Sequence, residues 1–336
     1  MKSRSSFGVI RAKSSSSCHR NCKTLLKSVA MSVGVFLLAV PVTRPAQHGA
    51  FQWPDSSHYW RILVNVNQYI ESRPPAWFAQ DKVVTDLNVI NVSPASHEAA
   101  EHYAKVRKLL ESRHIAVGTY ISGTTVEPEA VQTTYPLVAV PIEQMPANAK
   151  YVGSWPGHAE RRIIDVTDPD TRHAFQAGLT QLWQQSPAPI RFVDNAAIQP
   201  AVERKQPWQA YCDNIEEIRK IAESQNSRAI FNIAMHVGLM SDDETQRLIR
   251  AVGPDNGIAL EMPWHASIQK SPEATAKAVA RYRQLLDSGL VVIMLPVNID
   301  ANVLSDWIRT WRKPGDHLYI SAIFWKPPDL SAYSGQ

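Results

Sequence analysis

Three carboxylates close short apolar stretches of this chain, and their type and position could support acid–base chemistry. Asp165 ends the run RIIDV, Asp194 ends IRFVD, and Glu261 lies in IALEM. A carboxylate beside apolar neighbours resists leaving water unless it is paired or used. Two such groups at one pocket can cleave a glycosidic bond, because one protonates the leaving oxygen while the other attacks the anomeric carbon or activates water. We therefore predict Asp194 and Glu261 as this pair, with Asp165 supporting or replacing one of them.

Aromatic and amide side chains near the same stretches are suited to holding a sugar. Tryptophan and tyrosine rings can stack on the face of a sugar ring, and amides can bond its hydroxyl groups. Asn232 could alternatively orient one of the carboxylates. The predicted substrate-binding residues are Tyr120, Trp155, Asn195, Asn232, Trp264, His265 and Trp325.

The acidic candidates also have purely structural interpretations. Asp165 could pair with Arg162 or Arg172, and Glu261 could be a buried carboxylate held by an arginine. Asp168 stands directly before a proline, a position typical of a helix N-cap.

Nine short runs rich in valine and isoleucine alternate with helical stretches and must position these residues. Several runs are almost continuously apolar, as strands covered on both faces of a parallel sheet are. Ser-Pro and Asp-Pro pairs, and capping boxes at Asp213 and Ser241, predict helix starts between them. The runs are ILVNV at 62–66, VVTDLNVINV at 83–92, IAVGTYI at 115–121, RIIDV at 162–166, IRFVD at 190–194, AIFNIAM at 229–235, IALEM at 258–262, LVVIML at 290–295 and LYISAIFW at 318–325.

Strand and helix alternating about eight times predict a (β/α)8 TIM barrel, an α/β fold, over residues 51–330. Such barrels carry their working groups at the C-terminal ends of the strands. The barrel has eight strands and the sequence offers nine candidate runs, so one run, the first or the last, is expected not to belong to the barrel. A doubly wound open sheet is the alternative, but no glycine-rich turn follows the first run. The proline-rich segment 122–161 is predicted to be an insertion that forms a rim or cleft wall.

The N-terminal 50 residues differ in charge from the rest of the chain. Residues 1–49 carry eight lysines or arginines and no acid, and within them an uncharged, largely apolar run lies at 28–43, directly after Lys27. A basic segment followed by a short apolar run predicts an export signal. The run is shorter than the ~18–20 residues of a membrane-spanning helix, which favours a signal over a stable anchor. An uncleaved signal-anchor and a disordered basic tail remain alternatives. The expected location is periplasmic or extracellular, with membrane contact only through this segment.

The remainder of the chain excludes several classes of protein. Outside the leader, 27 basic residues face 31 acidic ones, which disfavours nucleic-acid binding. Three cysteines exclude a disulfide scaffold. Neither a P-loop nor a G-x-G-x-x-G motif occurs, and only the triplet at 158–160 suggests a metal. We predict no cofactor and no metal.

Five of the runs resemble barrel families of glycoside hydrolases. These include the hypothetical glycosyl hydrolases and the endo-α-1,4-polygalactosaminidase-like enzymes. The resemblance lies in YISG, IIDVTDPDTR, FVDNA, FNIAM and LEMPW, in that order. Positions that match the family pattern are Asp165, Asp168, Pro169, Arg172, Asp194 and Asn195. Residues 189–191 depart from it, since Pro-Ile-Arg stands where those families have Asp-Gly. The resemblance implies a (β/α)8 fold and an extracellular polysaccharide as substrate.

Two hypotheses for function follow. The first is an exported glycoside hydrolase that cleaves a polysaccharide with a carboxylate pair. The alternative is a catalytically inactive barrel that binds glycan and assists polysaccharide assembly or export. A carboxylate separation beyond ~10 Å would favour the alternative.

Overall fold

The computed structural model describes residues 51, 53, 61–64, 87–89, 105, 108, 112, 116–132, 138–197, 206–233, 237–261, 263, 266–295 and 301–323. The leader at 1–50 lies outside these residues, so the export signal stays a prediction. Of the helices described, none has the length and apolar character needed to cross a membrane.

Twelve strands and six α-helices make up the described part of the chain. The strands are β1 (Arg61–Val64), β2 (Leu87–Val89), β3 (Ala116–Ser122), β4 (Thr125–Glu127), β5 (Val140–Pro141), β6 (Tyr151–Trp155), β7 (His158–Ile164), β8 (Ile190–Ala197), β9 (Arg228–Ile233), β10 (Gly257–Leu260), β11 (Val291–Met294) and β12 (Leu318–Ile323). The helices are α1 (Pro169–Gln185), α2 (Trp208–Ser224), α3 (Asp242–Val252), α4 (Ala266–Gln269), α5 (Pro272–Asp287) and α6 (Ala301–Arg309). Short 3-10 turns lie at Glu129–Val131, Ile142–Gln144 and Val237–Leu239.

Eight of the strands close into a barrel in the order β1-β12-β11-β10-β9-β8-β3-β2. Every pairing in this ring is parallel. The predicted mixed α/β class with a parallel sheet is confirmed, and the sheet closes on itself. All eight strands therefore end at the same rim, where a barrel places its working groups.

The prediction that RIIDV forms a barrel strand is wrong. Its residues 162–164 belong to β7, which lies in a separate four-stranded sheet of order β5-β4-β7-β6 and pairs antiparallel with β4 and β6. Only Ile163 and Ile164 of β7 are buried, whereas a barrel strand such as β8 is buried almost throughout. The extra run is thus the fourth, neither the first nor the last. A short apolar run looks the same in sequence whether one or both of its faces are covered.

The turn at Gly123 and Thr124, which leads from β3 into the second sheet, is bonded directly to barrel strand β8. The Gly123 nitrogen donates to the Asp194 carbonyl at 2.6 Å, and the Thr124 hydroxyl donates to the Asn195 carbonyl at 2.7 Å. A Cβ at Gly123 would lie 2.7 Å from Val193 Cγ1 and 3.2 Å from Ala196 Cα. Only glycine permits this close approach, so the sheet and the strand that carries Asp194 are fixed against each other.

The start signals placed three of these helices correctly and one wrongly, and the Ser271-Pro272 signal is confirmed by Ser271, which caps α5 and accepts from Ala274 N. Asp168 caps α1, accepting from Thr171 N at 3.0 Å, and Ser241 with Glu244 forms the capping box of α3. The box predicted at Asp213 does not begin a helix, because α2 already begins at Trp208. Asp213 therefore lies inside the helix rather than at its start.

Arg191 marks the departure from the Asp-Gly pattern and is almost fully buried, with 1% exposure. Its guanidinium donates to Thr119 Oγ1 at 2.8 Å and to the Ser186 and Trp183 carbonyls at 2.6 and 3.1 Å. Thr119 lies in the middle of β3, and Trp183 and Ser186 lie at the end of α1. Arg191 therefore stabilises the contact between the end of α1 and strand β3, and it lies three residues before Asp194 in the chain.

Candidate active site

One amide nitrogen joins the two leading carboxylates. Asn232 Nδ2 donates to Asp194 Oδ1 at 2.7 Å and to Glu261 Oε1 at 2.6 Å. An amide nitrogen carries two hydrogens, so each carboxylate receives one. Since both bonds share this nitrogen, the two oxygens lie at most about 5.3 Å apart, the 2.7 Å and 2.6 Å laid end to end.

Strand alternation explains why these three side chains meet. Asp194 lies on β8, Asn232 on β9, and Glu261 directly follows β10, and these strands are neighbours in the barrel. Successive side chains of a strand point to opposite faces. An apolar cluster without any helix residue fills the inside of the barrel, and it contains the residues two positions earlier on each strand, which are Phe192, Ile230 and Ala259. Asp194, Asn232 and Glu261 therefore face inward, one layer above this core.

Asp194 receives two further hydrogen bonds at its other oxygen. The Tyr120 hydroxyl donates to Oδ2, and Asn195 Nδ2 donates to it at 3.2 Å. The Tyr120 ring stacks on Phe192 with centroids 5.8 Å apart. Burial raises the pKa of Tyr120 well above its usual value, and the Asp194 charge raises it further, so the hydroxyl keeps its proton and acts as a donor.

The backbone at Asn195 departs from regular strand geometry. Its φ is +51°, in the left-handed region that asparagine tolerates better than most residues. The pairing of β8 with β9 shifts register between Val193 and Ala197, which marks a bulge. Bulges commonly re-aim side chains beside active sites, and this one lies next to Asp194.

The surroundings separate the two carboxyl groups in acidity. Burial raises the pKa of Asp194, but bonds from Tyr120, Asn232 and Asn195 oppose this by stabilising the charged form. Burial and the charge of Asp194 raise the pKa of Glu261 to about 7, against a single bond from Asn232. Three donors stabilise the charged form of Asp194 and one stabilises that of Glu261, so the arrangement favours the negative charge on Asp194 and the proton on Glu261.

The second sheet contributes a cation that the sequence did not point to. Arg161 on β7 lies opposite Glu127 on β4 and forms an ion pair with it. The Arg161 guanidinium lowers the pKa of Asp194 and of Tyr120. This proximity depends on the pairing of β4 with β7, and no motif in the sequence signals it.

The other predicted site residues lie elsewhere or outside the described residues. Asp165 follows β7, so the premise that it ends a barrel strand is wrong, and its Oδ1 accepts from the Thr167 nitrogen and hydroxyl at 2.9 and 2.6 Å. Among the described contacts, none joins Asp165 to Asp194 or Glu261. Trp155 ends β6 and packs, partly buried, against the apolar core. The predictions outside the described residues are Trp264, His265 and Trp325.

No metal centre is evident in the described part of the chain. No group of three or more histidine, cysteine or acidic side chains there is placed to hold an ion.

Fold and site together define a parallel barrel with a close carboxylate pair at its strand ends. No family model and no curated protein matches the chain. Solved structures that it resembles are glycoside hydrolases. Aspergillus fumigatus Ega3 in complex with galactosamine has a TM-score of 0.46 and 12% identity, covering 82% of this chain and 94% of that chain.

Two further solved structures show a likeness of similar size. An alpha-amylase from Lactobacillus plantarum has a TM-score of 0.43 and 13% identity, covering 78% of this chain and 70% of that chain. A glycoside hydrolase family 20 beta-N-acetylglucosaminidase has a TM-score of 0.41 and 10% identity, covering 72% and 53%. Likenesses of this size decide neither substrate nor catalytic residues, so function must come from the geometry of the site.

Proposed function

We propose that this protein is a glycoside hydrolase that retains anomeric configuration, with Asp194 as nucleophile and Glu261 as acid and base. The observation that carries the proposal is the Asn232 bridge, which keeps the two carboxylate oxygens within about 5.3 Å. Retaining enzymes separate their carboxyl groups by ~5–5.5 Å, whereas inverting enzymes need ~6.5–9.5 Å to admit a water molecule. A separation beyond ~10 Å, which would have favoured an inactive glycan-binding barrel, does not occur.

The first step uses the two protonation states described above. A charged Asp194 oxygen attacks the anomeric carbon while the bond to the leaving oxygen breaks, and Glu261 donates its proton to that oxygen. The products are a glycosyl ester on Asp194, a free alcohol and a Glu261 carboxylate.

The second step depends on a change in Glu261. Ester formation removes the negative charge of Asp194, which is one of the two causes of the raised Glu261 pKa. The pKa of Glu261 then falls, and its carboxylate accepts a proton from water as the water attacks the anomeric carbon. Asp194 leaves as a carboxylate and Glu261 is protonated again.

The proposed substrate is an extracellular polysaccharide, as the resemblance of the sequence motifs implies. Tyr120, Asn195 and Asn232 are assigned to holding Asp194 rather than to binding sugar directly. Export through the N-terminal leader is part of the proposal, because a polysaccharide substrate of this kind lies outside the cytoplasm.

A glycan panel tests the proposal directly. The purified full-length chain is incubated with α- and β-linked polysaccharides, including polymers of glucose, N-acetylglucosamine and α-1,4-linked galactosamine. We expect reducing ends to appear from at least one polymer, with the first product retaining the anomeric configuration of the substrate by proton NMR. An inverted first product, or binding without release of reducing ends, would contradict the proposal.

The pH dependence of kcat/KM provides a second expected result. Glu261 must be protonated in the first step, so activity is expected to fall as pH rises through about 7, its raised pKa. Asp194 must be charged, so activity also falls on the acid side, at a pH below that of the Glu261 limb. A profile measured on the polymer that the panel identifies should be bell-shaped. Constant activity from pH 6 to 9 would remove Glu261 from the acid role.

A further inference from the structure

Tyr282 on helix α5 is a buried tyrosine that the proposed reaction does not use. It is 1% exposed, and its hydroxyl donates to the Pro263 carbonyl at 2.9 Å. Pro263 lies two residues after Glu261, in the loop between β10 and α4. The hydroxyl thus anchors the segment that carries the candidate acid.

The same face of α5 contacts the segments that follow β9 and β10. Thr275, Ala278 and Tyr282 are spaced three and four residues apart and therefore share one face of the helix. The Thr275 hydroxyl donates to the Ile268 carbonyl of α4 at 2.9 Å. Ala278 packs so closely on Gly238, after β9, that a Cβ there would lie 2.7 Å from the Ala278 Cβ.

The position of the Tyr282 ring is itself restrained by two tryptophans. Trp307 meets it edge-on with centroids 6.0 Å apart, and Trp311 lies tilted at 6.1 Å. The hydroxyl is therefore held at a defined place by packing. A buried carbonyl such as that of Pro263 requires a donor, and Tyr282 supplies it.

We propose that Tyr282 is a positioning residue that holds the Glu261 loop against the barrel and keeps the Glu261 carboxyl buried beside Asn232. This inference rests on the proposed function, since it assigns a role to Tyr282 in the chemistry of Glu261. Tyr282 does not touch substrate and acts only through the Pro263 carbonyl.

The expected consequence is a change in the acidity of Glu261. Burial is the first cause of its raised pKa, so a loop that relaxes outward hydrates the carboxyl and lowers the pKa. The titratable groups that face Glu261 from other strands are Asp194 on β8 and Tyr120 on β3. Both are held by contacts that do not involve Tyr282, so their influence is expected to remain.

Tyr282→Phe in the full-length chain tests the proposal without any substrate. The Glu261 side-chain carboxyl carbon is followed by NMR titration in protein labelled with carbon-13 glutamate, and its signal is assigned from Glu261→Gln. We expect the midpoint to fall by roughly half a pKa unit or more in Tyr282→Phe, towards the ordinary glutamate range. An unchanged midpoint in the folded variant would overturn the proposal.

Thr245→Val is the matched control. It removes a buried hydroxyl that, like that of Tyr282, donates to a backbone carbonyl, here that of Ser241 at 2.8 Å at the start of α3, and no described hydrogen bond joins Thr245 to the Glu261 loop. Both variants should lose thermal stability to a similar extent, but only Tyr282→Phe should shift the Glu261 titration. A similar shift in Thr245→Val would mean that general loosening is the cause, and would also overturn the proposal.

A second variant covers the case in which Tyr282→Phe does not fold. Thr275→Val removes the other hydroxyl bond from α5 to this region and should shift the Glu261 midpoint in the same direction by a smaller amount. An unshifted midpoint in that case would reject the bracing role. The titration tests the role of Tyr282 and needs no hydrolysis. The activity of Glu261→Gln tests the proposed function independently of the titration result.

Discussion

Asp194→Asn is expected to reduce kcat/KM on the susceptible polymer by more than about 10³-fold, since an amide cannot form the glycosyl ester on which the two-step reaction depends. The fold should persist, because asparagine has nearly the same shape. Removal of a desolvated negative charge should leave the thermal midpoint unchanged or raise it. Reducing-end release and differential scanning calorimetry on the same preparation measure both effects.

A matched control and a rescue experiment complete this test. Asp243→Asn makes the same chemical change on the exposed surface of α3 and should retain full activity. In Asp194→Ala the shortened side chain leaves room for azide, which would attack the anomeric carbon in a single displacement. The glycosyl azide should therefore have inverted configuration, and one of retained configuration would show that the nucleophile is another residue.

The barrel was predictable because its strands carry a strong local signal. A strand covered on both faces needs apolar residues at nearly every position, as in Ile190–Ala197 of β8. The prediction failed at RIIDV, where two buried isoleucines follow a largely exposed stretch of β7. The composition of so short a run does not indicate which strands it pairs with. The pairing of β7 with β4 and β6 is what places it in the second sheet and not in the barrel.

Site residues could be predicted where they lie at the C-terminal end of a barrel strand. They could not be predicted where packing between distant segments brings them to the site. Asp194 and Glu261 follow inward-facing core residues, so their position on the chain sufficed to place them at the barrel mouth. Asp165 was predicted in the same way, but it follows β7, which is not a barrel strand. Arg161 and Tyr282 could not be found this way, because their relation to the carboxylates is made by a strand pairing and by a helix face.

The bridge through Asn232 explains why two acidic groups can lie so close. A doubly charged pair at this separation would repel strongly in a buried site, so the two carboxyl groups are expected to lose their protons at different pH values. Asn232 donates to both members, so it does not by itself choose which of them is charged. Tyr120 and Asn195 make that choice by donating only to Asp194. The division of roles therefore comes from unequal numbers of donors around two chemically similar groups.

Glu261→Gln is the second substitution with a large expected effect, and its signature depends on the leaving group. General acid catalysis contributes about 10²–10⁴-fold, so hydrolysis of a polysaccharide, whose leaving group is a poorly acidic sugar alcohol, should slow by that factor. A dinitrophenyl glycoside of the same sugar leaves without protonation, and its first step should be nearly unaffected. The basic limb of the pH profile near 7 should disappear with the acid that causes it. Glu216→Gln, a control at a partly exposed position of α2, should change none of these properties.

Azide distinguishes the two carboxylates in a way that activity loss alone does not. In Glu261→Ala the glycosyl ester on Asp194 still forms from the activated substrate, and azide needs no base to attack it. Two successive displacements then yield a glycosyl azide of retained configuration, opposite to that from Asp194→Ala. If both variants gave the same azide configuration, the residues could not hold the separate roles that the unequal hydrogen bonding around them assigns.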